Sequence, residues 1–313
     1  MFKKWFCLMV LFFVVATMGC RKELASGVNK KEIKIQADTS AVAEKSSVIA
    51  PGAKVEKLAS GFRWAEGPAV DAAGNIFFTD YRNQRIFKWS LDGKLSTFLE
   101  NSGGANGLVF DKDGNLLACA VNKRQIISID PQGRITMLAD KCDNKRLNET
   151  NDLWLDQKGG IYFTDPHFER GTEIEQDGEH VYYLTPNRKK VICVINDMNR
   201  PNGIICTPDN KLLYVAEYFK DETFVYTINA DGTLSNKKLF APEGSDGMTM
   251  DTQGNIYLTR RAISVYDSAG NKIETIEVPE HPANVCFGGK DKRTLFITAS
   301  SSLYSLRMRV KGI

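Results

Sequence analysis

The chain has 313 residues, 42% of them hydrophobic and 25% charged, with Lys+Arg 41 against Asp+Glu 38 and a formal net charge of +3. So balanced a charge excludes a partner chosen by bulk electrostatics, and nucleic acid is not an expected ligand. The composition also excludes a disordered chain and a polytopic membrane protein, and the length is ample for a large core.

The first twenty residues read as an export signal. Lys3 and Lys4 precede an apolar run from Trp5 to Val15, and Gly19 stands directly before Cys20. That run falls short of the roughly 20 residues a membrane-spanning helix needs, and a cysteine after a small residue is the pattern of a bacterial lipoprotein signal. The expectation is a signal over residues 1–20 and an exported, membrane-anchored chain held through lipidated Cys20, in the periplasm or on the outer surface. Residues 21–54, rich in Lys, Ala, Ser and Val without a strong period, read as a flexible tether. Beyond Cys7 and Cys20, five cysteines remain at 119, 142, 193, 206 and 286, an odd number without C-x-x-C spacing. They predict mostly buried thiols, not a disulfide scaffold or a zinc site.

From residue 55 to residue 313 one pattern recurs. A turn of the type Asp-x-x-Gly-Asn, followed by a β-rich run, starts at Asp71, Asp111, Asp156, Thr207, Asp251 and, most degenerately, Gly289. Ile76-Phe77-Phe78-Thr79-Asp80 and Ile161-Tyr162-Phe163-Thr164-Asp165 are typical of the runs that follow. The spacing suits four short strands per unit, and helical periodicity is nearly absent. The predicted fold is therefore all-β, a six-bladed β-propeller, because blades this thin bury their faces only by packing around an axis. Val55 to Ala59 is expected as the outer strand of the last blade, closing the ring against Leu303 to Val310.

One register within the repeat points to chemistry. Five residues before each turn start lie Glu66, Asn106, Asn151, Asn202, Asp246 and Asn284, an oxygen-bearing side chain every time. These positions open the first strand of each blade, which lines the channel of a propeller, so they are expected as a ring about the axis at one height. Asparagine and aspartate also serve as turn residues before strands, but Glu66 suits that role badly. Carboxylates converging on an axis repel and lose solvation unless a cation balances them, and the two here match one divalent cation. An all-oxygen donor set favours Ca²⁺, then Mg²⁺ or Mn²⁺, over Zn²⁺. Residues just past the second strand are expected at the channel mouth: Tyr81, Arg82, Asn122, Lys123, His167, Phe168, Tyr218, Arg260 and Arg261. Such an aromatic and basic rim suits a small polar or anionic ligand.

Several motifs in this register carry a family resemblance. Glu66-Gly67-Pro68, Lys145-Arg146-Leu147-Asn148 running into Asn151-Asp152, Arg200-Pro201-Asn202-Gly203, Asp246-Gly247 and Asn284-Val285 with Phe287-Gly288-Gly289 resemble the gluconolactonase, senescence marker protein and luciferin-regenerating family. The resemblance implies a six-bladed propeller with one catalytic divalent metal held by Glu66, Asn151, Asn202 and Asp246, four of the six ring positions. Asn106 and Asn284 would be channel or substrate contacts. Two departures stand out. Cys286 replaces a histidine that the related diisopropyl fluorophosphatase carries, which argues against phosphoryl-fluoride hydrolysis. Glu149 replaces an arginine found in animal members, and Arg146 is near enough in sequence to substitute.

The resulting expectation is a metal-dependent hydrolase of lactones, a sugar lactone such as gluconolactone first among them. Asp246 is the expected base, with Asp152 as the second candidate, and Arg146, His167 and Tyr218 complete the substrate contacts. No Gly-x-Ser-x-Gly elbow, His-Glu-x-x-His motif or phosphate loop competes. The rival reading is a non-catalytic, membrane-tethered binding module whose calcium only plugs the channel.

Overall fold

The computed structural model describes residues 48–168 and 173–313. The signal, Cys20 and the tether as far as residue 47 lie outside the described residues. The repeated turns close locally. Asp71 accepts the amides of Ala73 (3.0 Å) and Asn75 (2.8 Å), and Gly74 takes φ +96°, a conformation that favours a residue without Cβ. Asp111, Asp156 and Asp251 repeat the arrangement. In the fourth unit the hydroxyl of Thr207 replaces the carboxylate and accepts the amides of Lys211 and Leu212. Each turn is satisfied by its own residues, so it reverses the chain wherever the motif occurs.

Six four-stranded antiparallel sheets result. Their innermost strands are Ala65–Val70, Ala105–Phe110, Leu153–Leu155, Pro201–Cys206, Met248–Met250 and Pro282–Gly288. Six hydrophobic clusters, one between each pair of neighbouring blades, cover the apolar faces. Phe77 and Ile86 meet Leu108 and Leu116 between blades one and two, and Phe78 meets Phe296 between blades one and six. That last contact closes the ring, and the protein is the all-β six-bladed propeller the repeats predict. Buried threonines tie the blades across the channel wall: the Thr79 hydroxyl donates to the carbonyl of Asn106 (3.3 Å) and that of Thr259 to the carbonyl of Ala283 (2.7 Å).

Closure joins the two ends of the propeller. Glu56–Ser60 pairs with Ser302–Arg307 as the outermost strand of blade six. The fold begins before the expected boundary at residue 55. Val48 is 1% exposed within the cluster between blades five and six, and Ile49 bridges Met308. Val48, Ile49 and Ala53 therefore pack against the propeller inside the span expected as tether, because burial of apolar side chains there outweighs their freedom in solvent. Four of the five cysteines are buried, and Cys193 is exposed.

Glu280 pins the closure. Its carboxylate accepts Lys57 Nζ (2.8 Å), Ser302 Oγ (2.6 Å), Tyr304 Oη (2.8 Å) and the Ser301 amide (3.0 Å), linking the first strand to the last. Burial alone would raise this carboxyl, but those bonds outweigh it and hold the group at about 2, below its ordinary value of 4.5. A depressed acid stabilises the fold above its unfolded value and loses that contribution as pH falls toward the folded one. Glu280→Gln should therefore cost roughly 1–3 kcal/mol at pH 7, the range for charge-assisted hydrogen bonds. The gap to wild type should shrink between about pH 5 and pH 2. Denaturant unfolding at both ends of that window checks it, and a gap independent of pH would refute it.

Candidate active site in the channel mouth

Three of the ring residues sit at a bulge, while Asn151 and Asp246 precede inner strands that pair without one. Inner and second strands run in register until one extra residue intervenes, between Glu66 and Ala69, between Ala105 and Leu108, and between Pro201 and Ile204. A one-residue slip turns a side chain to the opposite face. Here it lets Glu66, Asn106 and Asn202 face one pocket of about 600 Å³ together with Asn151 and Asp246. In blade six the extra residue falls earlier, between Pro282 and Asn284. Asn284 accordingly lines a second cavity of about 210 Å³ deeper among the inner strands. The expectation of six side chains at one height is thus corrected to five at the mouth and one below.

Asp152, just before the inner strand of blade three, also lines the deeper cavity, while its neighbour Asn151 lines the mouth. The two layers are pressed together by glycine. A Cβ on Gly107 would stand 2.4 Å from Asp152 Oδ1, and one on Gly247 would stand 1.9 Å from the Asn284 side chain. In blade three the position of these glycines is taken by Asp152 itself.

Within the mouth, Glu66 Oε1 accepts the indole Nε1 of Trp64 (3.1 Å) and Oε2 accepts the Gly67 amide (3.3 Å). Asn202 Nδ2 donates to Asp246 Oδ1 (2.8 Å), which leaves the Asn202 carbonyl oxygen free to face a ligand. Burial first, and then the Asp246 charge, pushes the Glu66 carboxyl well above its ordinary range. Burial likewise raises Asp246 and Asp152 to about 7 each, against the Asn202 bond at Asp246 and the Leu153 amide bond at Asp152. Desolvated carboxylates of this kind are stabilised by a cation. The donors are two carboxylates with asparagine oxygens, hard ligands that fit Ca²⁺ or Mg²⁺. Among the described residues no group of three or more His, Cys, Asp or Glu side chains is placed to hold a metal, so any cation here depends on the asparagines.

Of the expected rim, Tyr81, Arg82, Asn122, His167, Phe168 and Tyr218 line the pocket, while Lys123, Arg260 and Arg261 stand outside its lining. Arg260 is still close by, 3.9 Å over the Tyr218 ring and 2.8 Å from Asp221. Glu149 is engaged: Oε1 lies 3.2 Å from His167 Nδ1 and Oε2 accepts the Phe168 amide (2.7 Å). Arg146 is exposed on the short hairpin Lys141–Arg146 and is absent from the lining. The arginine on the pocket wall is Arg124, whose Nε donates to the carbonyls of Leu147 and Asn148. Trp64, Arg124, Ile174 and Phe219 were not foreseen. Trp64 carried a signal, an aromatic two residues before Glu66; Arg124 carried none, since its place depends on a contact with blade three.

The profile described as SMP-30/Gluconolactonase/LRE-like region matches residues 64–301. The chain belongs to this family. A gluconolactonase of Zymomonas mobilis is 29% identical over 294 residues, covering 82% of each chain. The lactonase drp35 of Staphylococcus aureus (strain MRSA252) is 27% identical over 234 residues, 68% of this chain and 69% of the relative. A solved gluconolactonase from Xanthomonas campestris superposes with a TM-score of 0.79 at 27% identity, covering 83% of this chain and 91% of that one. A calcium-binding regucalcin of Agrobacterium tumefaciens, with a TM-score of 0.72 over 82% of this chain and 95% of its own, is only 20% identical and shares the fold.

Proposed function

We propose that this protein is a divalent-metal-dependent lactonase whose substrate is a small lactone, a sugar lactone first. The observation that carries the reading is the meeting of two desolvated carboxylates, Glu66 and Asp246, with Asn151 and Asn202 in a pocket of about 600 Å³. The similarity to gluconolactonases and lactonases supports the reaction class. Glu66, Asn151, Asn202 and Asp246 would hold the cation, Ca²⁺ before Mg²⁺ or Mn²⁺ on the chemistry of the donors. When bound, such a cation supplies Lewis acidity toward a carbonyl oxygen.

The chain's own groups do the rest. Asp246 is favoured over Asp152 as the base, because it lines the mouth while Asp152 opens on the deeper cavity. It takes a proton from water; the oxygen adds to the lactone carbonyl carbon, the ring C–O bond breaks, and the departing alkoxide is protonated to give the hydroxy acid. Asn106, Asn122 and Arg82 offer polar contacts, and Trp64, Tyr81 and Tyr218 offer ring faces for the carbon skeleton. Turnover of a panel of aldonolactones and aromatic lactones, with and without chelator, tests this. Chelator-sensitive hydrolysis supports it, whereas cation binding with no turnover supports the binding module.

Membrane attachment through lipidated Cys20 belongs to the same proposal and rests on the Lys3-Lys4, apolar and Gly19-Cys20 pattern. Wild-type protein should fractionate with membranes and Cys20→Ala should not anchor. A soluble wild type, or a variant held as firmly, would remove the lipid from the reading.

A further inference from the structure

The second strand of each blade ends beside the loop that carries the ring residue, and its last position differs between blades in a telling way. Opposite Glu66, Asn151 and Asn202 it is Asp80, Asp165 and Glu217, which are 2%, 0% and 1% exposed. Opposite Asn106 and Asn284 it is alanine, Ala120 and Ala299. Each acid faces backward to the loop entering its ring residue. Asp80 accepts the amides of Arg63 (3.1 Å) and Trp64 (3.1 Å), together with Asn83 Nδ2 (2.8 Å). Asp165 accepts the Asn148 amide (2.7 Å), and Glu217 accepts the Asn199 amide (2.7 Å). In every case the amide lies two or three residues before the ring side chain. Blade two makes the corresponding tie with a hydroxyl, Ser102 Oγ accepting the Ala105 amide (3.2 Å). In blade five, whose ring residue is itself an acid, the second strand ends at Thr259 with Arg260 directly after it, and the loop is tied through Ser245 Oγ, which accepts the Thr259 amide (2.8 Å).

We infer that Asp80, Asp165 and Glu217 are positioning residues: buried acidic side chains that clamp the loops carrying Glu66, Asn151 and Asn202, and so preset the cation-binding geometry. The inference rests on the metal-centred reading of the pocket. Its physical basis is that a buried acid is costly and persists where it satisfies buried donors, here backbone amides and, at Glu217, also Lys220 Nζ (2.6 Å). A folded propeller does not require it, since blades two and six close with alanine there. The acids fall on three of the four blades assigned a ligand and on neither blade without one. That pattern fits a demand for precision at the ring side chain, not for stability of the blade. Groups that orient metal ligands typically change affinity 10- to 100-fold when removed.

The test is calorimetric titration of the full chain with CaCl₂ alone. Wild type is compared with Asp80→Ala and Glu217→Ala, with the conservative Asp80→Asn and Glu217→Gln, and with Glu280→Gln as a carboxylate clamp in a blade without a ligand. The alanine variants should bind Ca²⁺ roughly 10- to 100-fold more weakly. The amide variants should recover part of that, and Glu280→Gln should match wild type despite its lower stability. In metal-free protein, the amides of Arg63 and Trp64 should exchange hydrogen faster in Asp80→Ala and stay protected in Glu280→Gln. Should an alanine variant fail to fold, its amide counterpart carries the comparison. Affinities within twofold of wild type in folded Asp80 and Glu217 variants would overturn the inference while leaving the metal reading intact. A wild type that binds neither Ca²⁺, Mg²⁺ nor Mn²⁺ would instead overturn the metal reading, and the inference with it.

Discussion

Glu66→Ala and Asp246→Ala should each reduce lactone hydrolysis by at least about a thousandfold, the scale on which single essential catalytic groups act. They should also abolish stabilisation by Ca²⁺. Ligand that binds only the folded state adds roughly 4 kcal/mol at a thousand times its dissociation constant, so wild type should melt several degrees higher in saturating Ca²⁺ and the variants should not. A second sign separates a ligand from a merely structural acid. The Glu66 carboxyl is pushed above its ordinary value of 4.5 by burial and by Asp246. A raised acid makes the metal-free fold less stable as pH climbs past that ordinary value. Glu66→Gln, which keeps the shape and removes the charge, should therefore leave metal-free protein at pH 7 as stable as wild type or more so, while losing the response to Ca²⁺. Thermal unfolding with and without chelator, beside a lactonase assay, gives all three readings. Full activity in both alanine variants would sink the mechanism.

What could be read from the chain follows the range of the forces involved. The turns at Asp71, Asp111, Asp156 and Asp251 are satisfied by their own side chains and glycines, so the repeat, the strand count and the ring register were all visible locally. Strand closure lies within a residue or so of its expected place, Glu56–Ser60 against Ser302–Arg307 where Val55 to Ala59 against Leu303 to Val310 was expected, because a sixth blade needs a fourth strand. Contacts between blades were not. Asn284 holds the same offset from its turn as Glu66, yet a bulge placed before it sends its side chain to the deeper cavity. Arg146 precedes the ring loop in sequence, but the hairpin it ends turns it outward, and Arg124 from the neighbouring blade takes the wall. The acids Asp80 and Asp165 stood in plain view at the ends of strands, but their partners lie in a loop that folds back from the strand before, so their role became visible only in three dimensions.

The largest loss of stability should come from the smallest change, Gly67→Ala. A Cβ on Gly67 would lie 1.9 Å from the carbonyl oxygen of Asn106 and 2.7 Å from its carbon, at φ +41°. Both atoms are backbone of the adjacent inner strand, so no rotamer change relieves the contact. The blades themselves would have to part where the Glu66 and Asn106 loops meet. Gly114 makes the useful contrast: its φ is +82°, but a Cβ there meets nothing within 4 Å. Gly114→Ala should thus cost only the left-handed backbone, about 1 kcal/mol. Gly67→Ala adds overpacking against a rigid neighbour and should cost roughly 3–5 kcal/mol in all. For a domain of this size that is a fall in Tm of roughly 10 °C. Because the strain falls on the loop bearing Glu66, Ca²⁺ should also rescue the variant less than wild type. Equal melting temperatures for the two alanine variants would show that the inner strands yield there, and the close approach of blades one and two would lose its place in setting the ring.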